Sequence, residues 1–318
     1  MAASETELRR NHWARAGFYI STSSVDSEGG TGSASDWDRD DEETCSFSEG
    51  RRRPSVIDPY SIPKTLRKNQ SLELFQLVKN AGEAKVLVIY TGGTIGMVKN
   101  QQGVLAPVPN ALEAMIRRYP HLHDEVYASK HYGKAAAVLE LKHKAKVGED
   151  SPHSDDEKSH LPDTPLALPE TREKKRVVYT IFEYEPLLDS SNITMDDYIR
   201  IASDIKSTYH LFDGFVILHG TDTLCYTASA LSFMLENLGK SVILTGSQIP
   251  IFETRSDGRD NFIGALILAG NYVIPEVTIF FNHKLFRGNR TTKMDTGALD
   301  AFDSPNLPPL ANFGITIR

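Results

Sequence analysis

Five short runs of consecutive apolar residues, rich in β-branched side chains, recur along the chain. They are Val86 to Tyr90 (VLVIY), Val177 to Phe182 (VVYTIF), Gly214 to Leu218 (GFVIL), Ser241 to Leu244 (SVIL) and Val277 to Phe281 (VTIFF). None alternates with polar positions, so each reads as a strand buried on both faces. Helical patterns lie between them. Asn110 stands at the N-cap of ALEAMIRRY, Thr194 with Asp197 forms a capping box ahead of YIRIASDIKSTYHLF, and Thr223 opens LCYTASALSFMLENL with Gly239 at its C′ position. Asp260 to Gly270 (DNFIGALILAG) is a fourth helix. Continuous apolar strands separated by amphipathic helices predict an α/β fold, doubly wound around a mainly parallel sheet. Ligands of such sheets bind beyond the carboxyl ends of the strands, which directs attention to the residues that follow each run.

Two polar stretches interrupt the pattern. Ser21 to Gly50 is almost all Ser, Gly, Thr, Asp and Glu, and carries too little apolar surface to offset the entropy of ordering. Residues 1–80 are expected to be a largely disordered, acidic and Ser-rich tail. Within it Arg51 to Pro54 reverses the sign of the charge; Arg52, Arg53 and Ser55 would suit a basophilic kinase, although a solvated charge run is the simpler account of them. The second stretch, about Lys142 to Arg176, is rich in Pro and in charges of both signs and is expected to be a surface insertion in a domain spanning 81–318. What remains, about 200 residues, is the size of one domain.

Composition narrows the function classes. The formal net charge is −7, so no basic excess points to nucleic acid or to an anionic membrane surface. Cys45 and Cys225 are the two cysteines, in segments of different character, which argues against a disulfide framework and for a reducing, cytoplasmic setting. Cys225, on an apolar helix, reads as a small buried hydrophobe. No apolar run approaches the roughly 20 residues of a membrane span, and MAASETELRRNHW lacks the apolar centre of a signal peptide. His121 and His123 form an HxH without further ligands nearby and read as surface residues.

The strand ends carry the chemistry. After VLVIY comes Thr91-Gly92-Gly93-Thr94-Ile95-Gly96, where two glycines let the backbone turn sharply and present Thr94; a nucleotide loop and a simple tight turn are both open, but neither the dinucleotide fingerprint nor GxxxxGK[ST] fits. After the second run, Glu185 to Asn192 offers Ser190 and Ser191, either to hold a carboxylate or to cap the next helix. After GFVIL comes His219-Gly220-Thr221-Asp222-Thr223, the densest polar cluster: an aspartate that can bind an amino group or orient a hydroxyl, and threonines that can act as nucleophiles or as caps. Thr245 to Pro250 (TGSQIP) and Ser256 to Asn261 (SDGRDN) supply small and amide side chains for a pocket wall. Asn282 to Lys293 holds four cations, Lys284, Arg287, Arg290 and Lys293, any of which is a candidate base.

Taken together, VIYTGGTIGM, EYEPLLDSSNIT, DGFVILHGTDTLCYTASALSFML, VILTGSQIP with RSDGRDN, and LFRGNRTTKMDTGALDAFDSPNLPPLANFG resemble the cytosolic type I L-asparaginases, among them the animal 60 kDa lysophospholipases that join an asparaginase region to ankyrin repeats. The resemblance covers about Lys85 to Arg318 apart from the insertion. It implies a flavodoxin-like N-terminal asparaginase domain in which Thr94 is the primary nucleophile toward the side-chain carboxamide of L-asparagine. It implies further that Thr221, Asp222 and Lys293 form a second triad, that Asp222 also binds the substrate's α-ammonium, and that Ser190 binds its α-carboxylate with Ser191 and Thr221 beside it. Backbone N–H groups around Thr221 would stabilise the oxyanion, and the hydrolysis needs no cofactor or metal.

Two departures from the family pattern matter. Val104, in Gln102-Gly103-Val104-Leu105, stands where many relatives carry a tyrosine that activates the nucleophile, so the proton acceptor for Thr94 must come from elsewhere. The sequence also stops at Arg318, where the family's smaller C-terminal domain would follow, and with that domain goes much of the interface through which relatives form homo-oligomers. The resulting expectation is an asparaginase domain that is weak or inactive alone. The competing readings are a non-catalytic short isoform that binds a full-length partner, a lysophospholipase, for which no G-x-S-x-G elbow is present, and a tRNA amidotransferase subunit, which the acidic charge disfavours.

Overall fold

The computed structural model describes residues 70–78, 80–100, 102–146 and 164–318. Its centre is an eight-stranded sheet. In chain order the strands are β1 (Glu83–Gly92), β4 (Leu166–Ala167), β5 (Arg176–Leu188), β6 (Gly214–Leu218), β7 (Val242–Thr245), β8 (Val277–Phe281), β9 (Lys284–Arg287) and β12 (Ala311–Asn312), and across the sheet they run β12-β9-β8-β7-β6-β1-β5-β4. Two antiparallel pairs stand apart from it, β2 (Met97–Lys99) with β3 (Leu105–Pro107) and β10 (Thr292–Lys293) with β11 (Phe302–Asp303). The helices are α1 (Gln70–Leu77), α2 (Ala111–Ile116), α3 (Glu125–Lys146), α4 (Met195–Thr208), α5 (Leu224–Met234) and α6 (Gly258–Asn271).

The five apolar runs are the five parallel strands at the centre of the sheet, and β4, β9 and β12 add antiparallel edges. Successive side chains of each run enter opposite cores. Leu87, Ile89, Phe215, Ile217, Val242 and Leu244 pack on one face with α4 and α5, while Val86, Val88, Tyr90, Val216, Leu218 and Ile243 pack on the other with α2 and α6. That two-sided burial is why the runs are uninterrupted. Counting only the parallel strands in chain order, the sheet runs 2-1-3-4-5, the flavodoxin-like arrangement, whose direction of winding reverses between β1 and β6.

Several local expectations are corrected. Asn110 takes a left-handed conformation (φ 60°) and makes no side-chain cap; its N–H instead donates to Glu183 Oε1 at 2.8 Å. Helix α5 ends at Met234 rather than near Gly239, whose N–H donates to the Tyr209 hydroxyl. His123 is buried, not a surface residue: Ala167 N donates to its Nδ1, and burial, aided by the charge of Arg117, pushes it down to about 4. The capping box at Thr194 is present, with the Asp197 carboxylate accepting from Thr194 N and Oγ1, both at 2.9 Å. Cys225 is buried on α5.

The expected tail and insertion fall mostly outside the described residues, as do Arg52, Arg53 and Ser55. Their described ends belong to the folded body. Leu74 and Phe75 of α1 are buried beside Tyr132 of α3, and Thr164 to Leu168 is buried with β4 paired to β5, so both polar stretches are shorter than expected.

Candidate active site

The loops after β1, β5 and β6 meet at the reversal of the sheet. Gly92 (φ 133°) lies against the backbone of Leu188 at the end of β5; a β-carbon there would come within 2.2 Å of Leu188 O. Gly93 (φ 91°) lies against Gly220, leaving 2.5 Å between a β-carbon and the Gly220 N and Cα atoms, and Gly220 in turn lies against the Ser190 side chain. The two glycines of TGGT are therefore required by a three-way backbone contact as well as by positive φ. Thr94 follows directly and opens a single 3₁₀ turn, Thr94–Gly96.

Asp189 ties down the second loop, its Oδ1 accepting from Ser191 N and Ser191 Oγ at 3.0 and 2.9 Å. Ser190 is 4% exposed, and its carbonyl accepts from Thr223 Oγ1 at 2.7 Å, joining this loop to the one after β6. Of the two serines, Ser190 lies within the three-way contact. Ser191 spends both donors on the local turn.

The third loop is held from below by His219, which is fully buried. Its Nδ1 meets Gly220 O at 2.7 Å and its Nε2 meets Thr227 Oγ1 at 2.8 Å. Burial lowers its pKa to about 4, so the ring is neutral near pH 7; a carbonyl at Nδ1 requires the proton there, and Thr227 then donates to Nε2. Above it, Lys293 Nζ donates to Thr221 Oγ1 at 2.9 Å and to Asp222 Oδ1 at 2.8 Å. The lysine side chain is 11% exposed and that of Asp222 is 68% exposed, so the cation is enclosed while the carboxylate opens to solvent.

Their partners separate three of the four cations. Lys284 pairs with Asp300 and Arg287 with Glu276, whereas Lys293, on the short strand β10, reaches Thr221 and Asp222. Val104 is exposed on the turn between β2 and β3, and it hydrogen-bonds through its backbone to Asn100. Gln248, which the sequence offered only as an amide of a pocket wall, turns out to contact Thr221 directly. Its Oε1 accepts from Thr221 Oγ1 at 3.1 Å, and it borders a cleft of about 340 Å³ shared with Lys99, Leu105, Pro250, Glu253 and Arg255. An amide directly after a buried strand in an α/β sheet was the available signal.

Fold and site together define a class: a flavodoxin-like α/β domain with a threonine–lysine–aspartate cluster where the winding of the sheet reverses. Residues 85–318 match the family model "Asparaginase, N-terminal", and the chain belongs to the asparaginase family. It is 52% identical over 237 residues to the L-asparaginase of Dirofilaria immitis and 46% identical over 235 residues to the 60 kDa lysophospholipase of Mus musculus, in each case across 74% of this chain and 36% of the relative. The crystal structure of L-asparaginase I from Vibrio cholerae superposes with a TM-score of 0.54 at 41% identity, covering 74% of this chain and 56% of that one. The chain thus spans about a third of the length of those two curated relatives. Among the described residues no helix is long and apolar enough to cross a membrane.

Proposed function

We propose that this domain hydrolyses the side-chain amide of L-asparagine to L-aspartate and ammonia, with weak turnover when the domain stands alone. The observation that carries the reading is the enclosed Lys293 ammonium shared between the Thr221 hydroxyl and the Asp222 carboxylate, beside the loop that presents Thr94. The family and the name of the Dirofilaria relative support it.

In this mechanism the Thr94 hydroxyl attacks the carboxamide carbon. The C–N bond breaks as the nitrogen takes up a proton and leaves as ammonia, and water cleaves the resulting aspartyl ester to free Thr94 and aspartate. Asp222, with its open carboxylate, receives the substrate's α-ammonium. Ser190, with Ser191 and Thr221 at its side, receives the α-carboxylate. Thr221 and Lys293 relay the proton, and backbone N–H groups around Thr221 face the developing oxyanion. The substrate is a zwitterion of small size, and the cluster offers an anion, hydroxyls and a threonine in one place. The same proposal puts the protein in the cytoplasm, in keeping with its two cysteines, of which Cys225 is free and buried.

Succinamic acid tests this reading, because it keeps the carboxylate and the amide of L-asparagine and lacks only the α-ammonium. Asp222 is largely solvated and already paired with Lys293, so the missing partner is expected to lower kcat/KM about 10- to 100-fold, less than for a dry pocket. Equal turnover of the two compounds would remove Asp222 from substrate recognition.

A further inference from the structure

Gln248 sits three residues beyond the end of β7, and its main chain is held firmly. Gln248 N and Ile249 N donate to the two oxygens of Asp257, each at 3.0 Å. Asn261 Nδ2 donates to Gly246 O and to the same Asp257 carboxylate, and Asn261 Oδ1 accepts from Asn282 N, so the loops after β7 and β8 are tied to the first turns of α6.

The orientation of the Gln248 amide follows from its partners. Its Nε2 donates to Thr296 O and Ala298 O, both at 3.1 Å. A flipped amide would set its oxygen against two carbonyls, so the oxygen must be the atom that faces Thr221. Thr221 has one hydroxyl proton, and at 3.1 Å that proton goes to Gln248 Oε1. The lone pairs of Thr221 are then left for Lys293 Nζ at 2.9 Å. In this arrangement the lysine is the donor and the threonine keeps its proton on the side away from the lysine.

The same amide reaches the segment that follows Lys293. Met294 N and Asp295 N donate to Ala301 O, and Asp295 Oδ1 accepts from Gly297 N and Ala298 N, which folds residues 294–301 into a closed turn. The Gln248 Nε2 bonds fasten that turn to the loop after β7. One side chain therefore touches Thr221 directly and, through Thr296 and Ala298, the turn that follows Lys293.

We propose that Gln248 is a positioning residue of this site, turning the Thr221 proton away from Lys293 and clamping the turn that fixes the lysine. The proposal rests on the asparaginase reading for its kinetic consequence and on the hydrogen bonds alone for the clamp. It deepens that reading by giving the two threonines different roles: Thr221, with its proton held on Gln248 and its lone pairs on Lys293, is kept from attacking in the resting site, and Thr94 is left as the attacking hydroxyl.

The test uses the full chain and two variants. Gln248→Met is close in length and removes both functions; Gln248→Glu keeps an acceptor for Thr221 but loses the two donors. Amide hydrogen exchange over residues 294–301 is expected to quicken about tenfold in both, as the clamp opens. The rate kcat for L-asparagine is expected to fall about 10-fold or more in Gln248→Met with KM changed less than about threefold, and to fall less in Gln248→Glu. A double-mutant cycle gives the readout that a merely structural residue would not move. Thr221→Val with Gln248→Met is expected to lose clearly less than the product of the two single losses, because the part of the effect that runs through the Thr221 hydroxyl is already gone and only the clamp on the 294–301 turn remains. Additive losses in that cycle, or unchanged exchange over 294–301 in Gln248→Met, would overturn the proposal. Wild-type turnover is judged separately. If the wild-type chain releases no ammonia, the asparaginase reading fails, and the exchange measurement still decides whether Gln248 is the clamp.

Discussion

Replacing Lys293 with methionine is expected to lower kcat/KM for L-asparagine about 10²- to 10⁴-fold, the share usually carried by a positioned proton donor or acceptor. The fold should scarcely notice. Lys293 ends a two-residue strand, and its ion pair with Asp222 is open on the carboxylate side, where solvent screens the charge, so the pair contributes about 1 kcal/mol or less to stability. Steady-state kinetics beside a thermal melt check both halves. If activity falls only as far as the folded fraction falls, Lys293 is a structural residue and the triad is wrong. Methionine suits the purpose because it keeps the aliphatic stem and removes only the charge and its protons.

The largest effect on stability is expected from Gly93→Ala. Its φ of 91° with ψ of 171° lies where side chains other than glycine's are rarely found, and a β-carbon would meet the Gly220 backbone at 2.5 Å. Backbone cannot step aside as the end of a long side chain can, so the loops after β1 and β6 must separate. A loss of about 2–4 kcal/mol is expected in denaturant unfolding, together with the loss of turnover. Gly103→Ala is the comparison. Its φ of 78° is also positive, but nothing lies within 4 Å of the added carbon, so only the backbone term of about 1 kcal/mol remains. Equal losses at the two positions would mean that the contact between Gly93 and Gly220 does not hold the site together.

The sequence made the centre of the sheet readable because strands covered on both faces need apolar side chains at every position, as Val86 to Tyr90 and Gly214 to Leu218 show. Helix α3 was not readable. Its inward stripe is Ala128, Tyr132, Ala136 and Leu139, while Val126, Val138 and Leu141 are exposed, so apolar residues surround the helix and the 3.6-residue period is lost. The edge strands β4 and β12 have two residues each and leave no pattern to find. His123 looked like half of a surface HxH, since nothing in the neighbouring sequence announces that Ala167 N would cover it.

The site was readable in its residue types and unreadable in its pairings. Glycines after a strand, a Thr-Asp-Thr after another and a run of cations after a third marked where chemistry would gather. Choosing Lys293 required the ion pairs of Lys284 and Arg287 and its own contacts with Thr221 and Asp222. Gln248 was legible as an amide of the pocket wall, but its partners were not, because two of them are carbonyls about fifty residues away.

Ammonia release from L-asparagine by the purified chain, measured beside Thr94→Val and Thr221→Val, tests the central claim most directly. The account predicts ammonia and aspartate in equal amounts from the wild type, with a loss of about 100-fold or more in each variant while both remain folded. No release by the folded wild-type chain, or undiminished release by Thr94→Val, would contradict it.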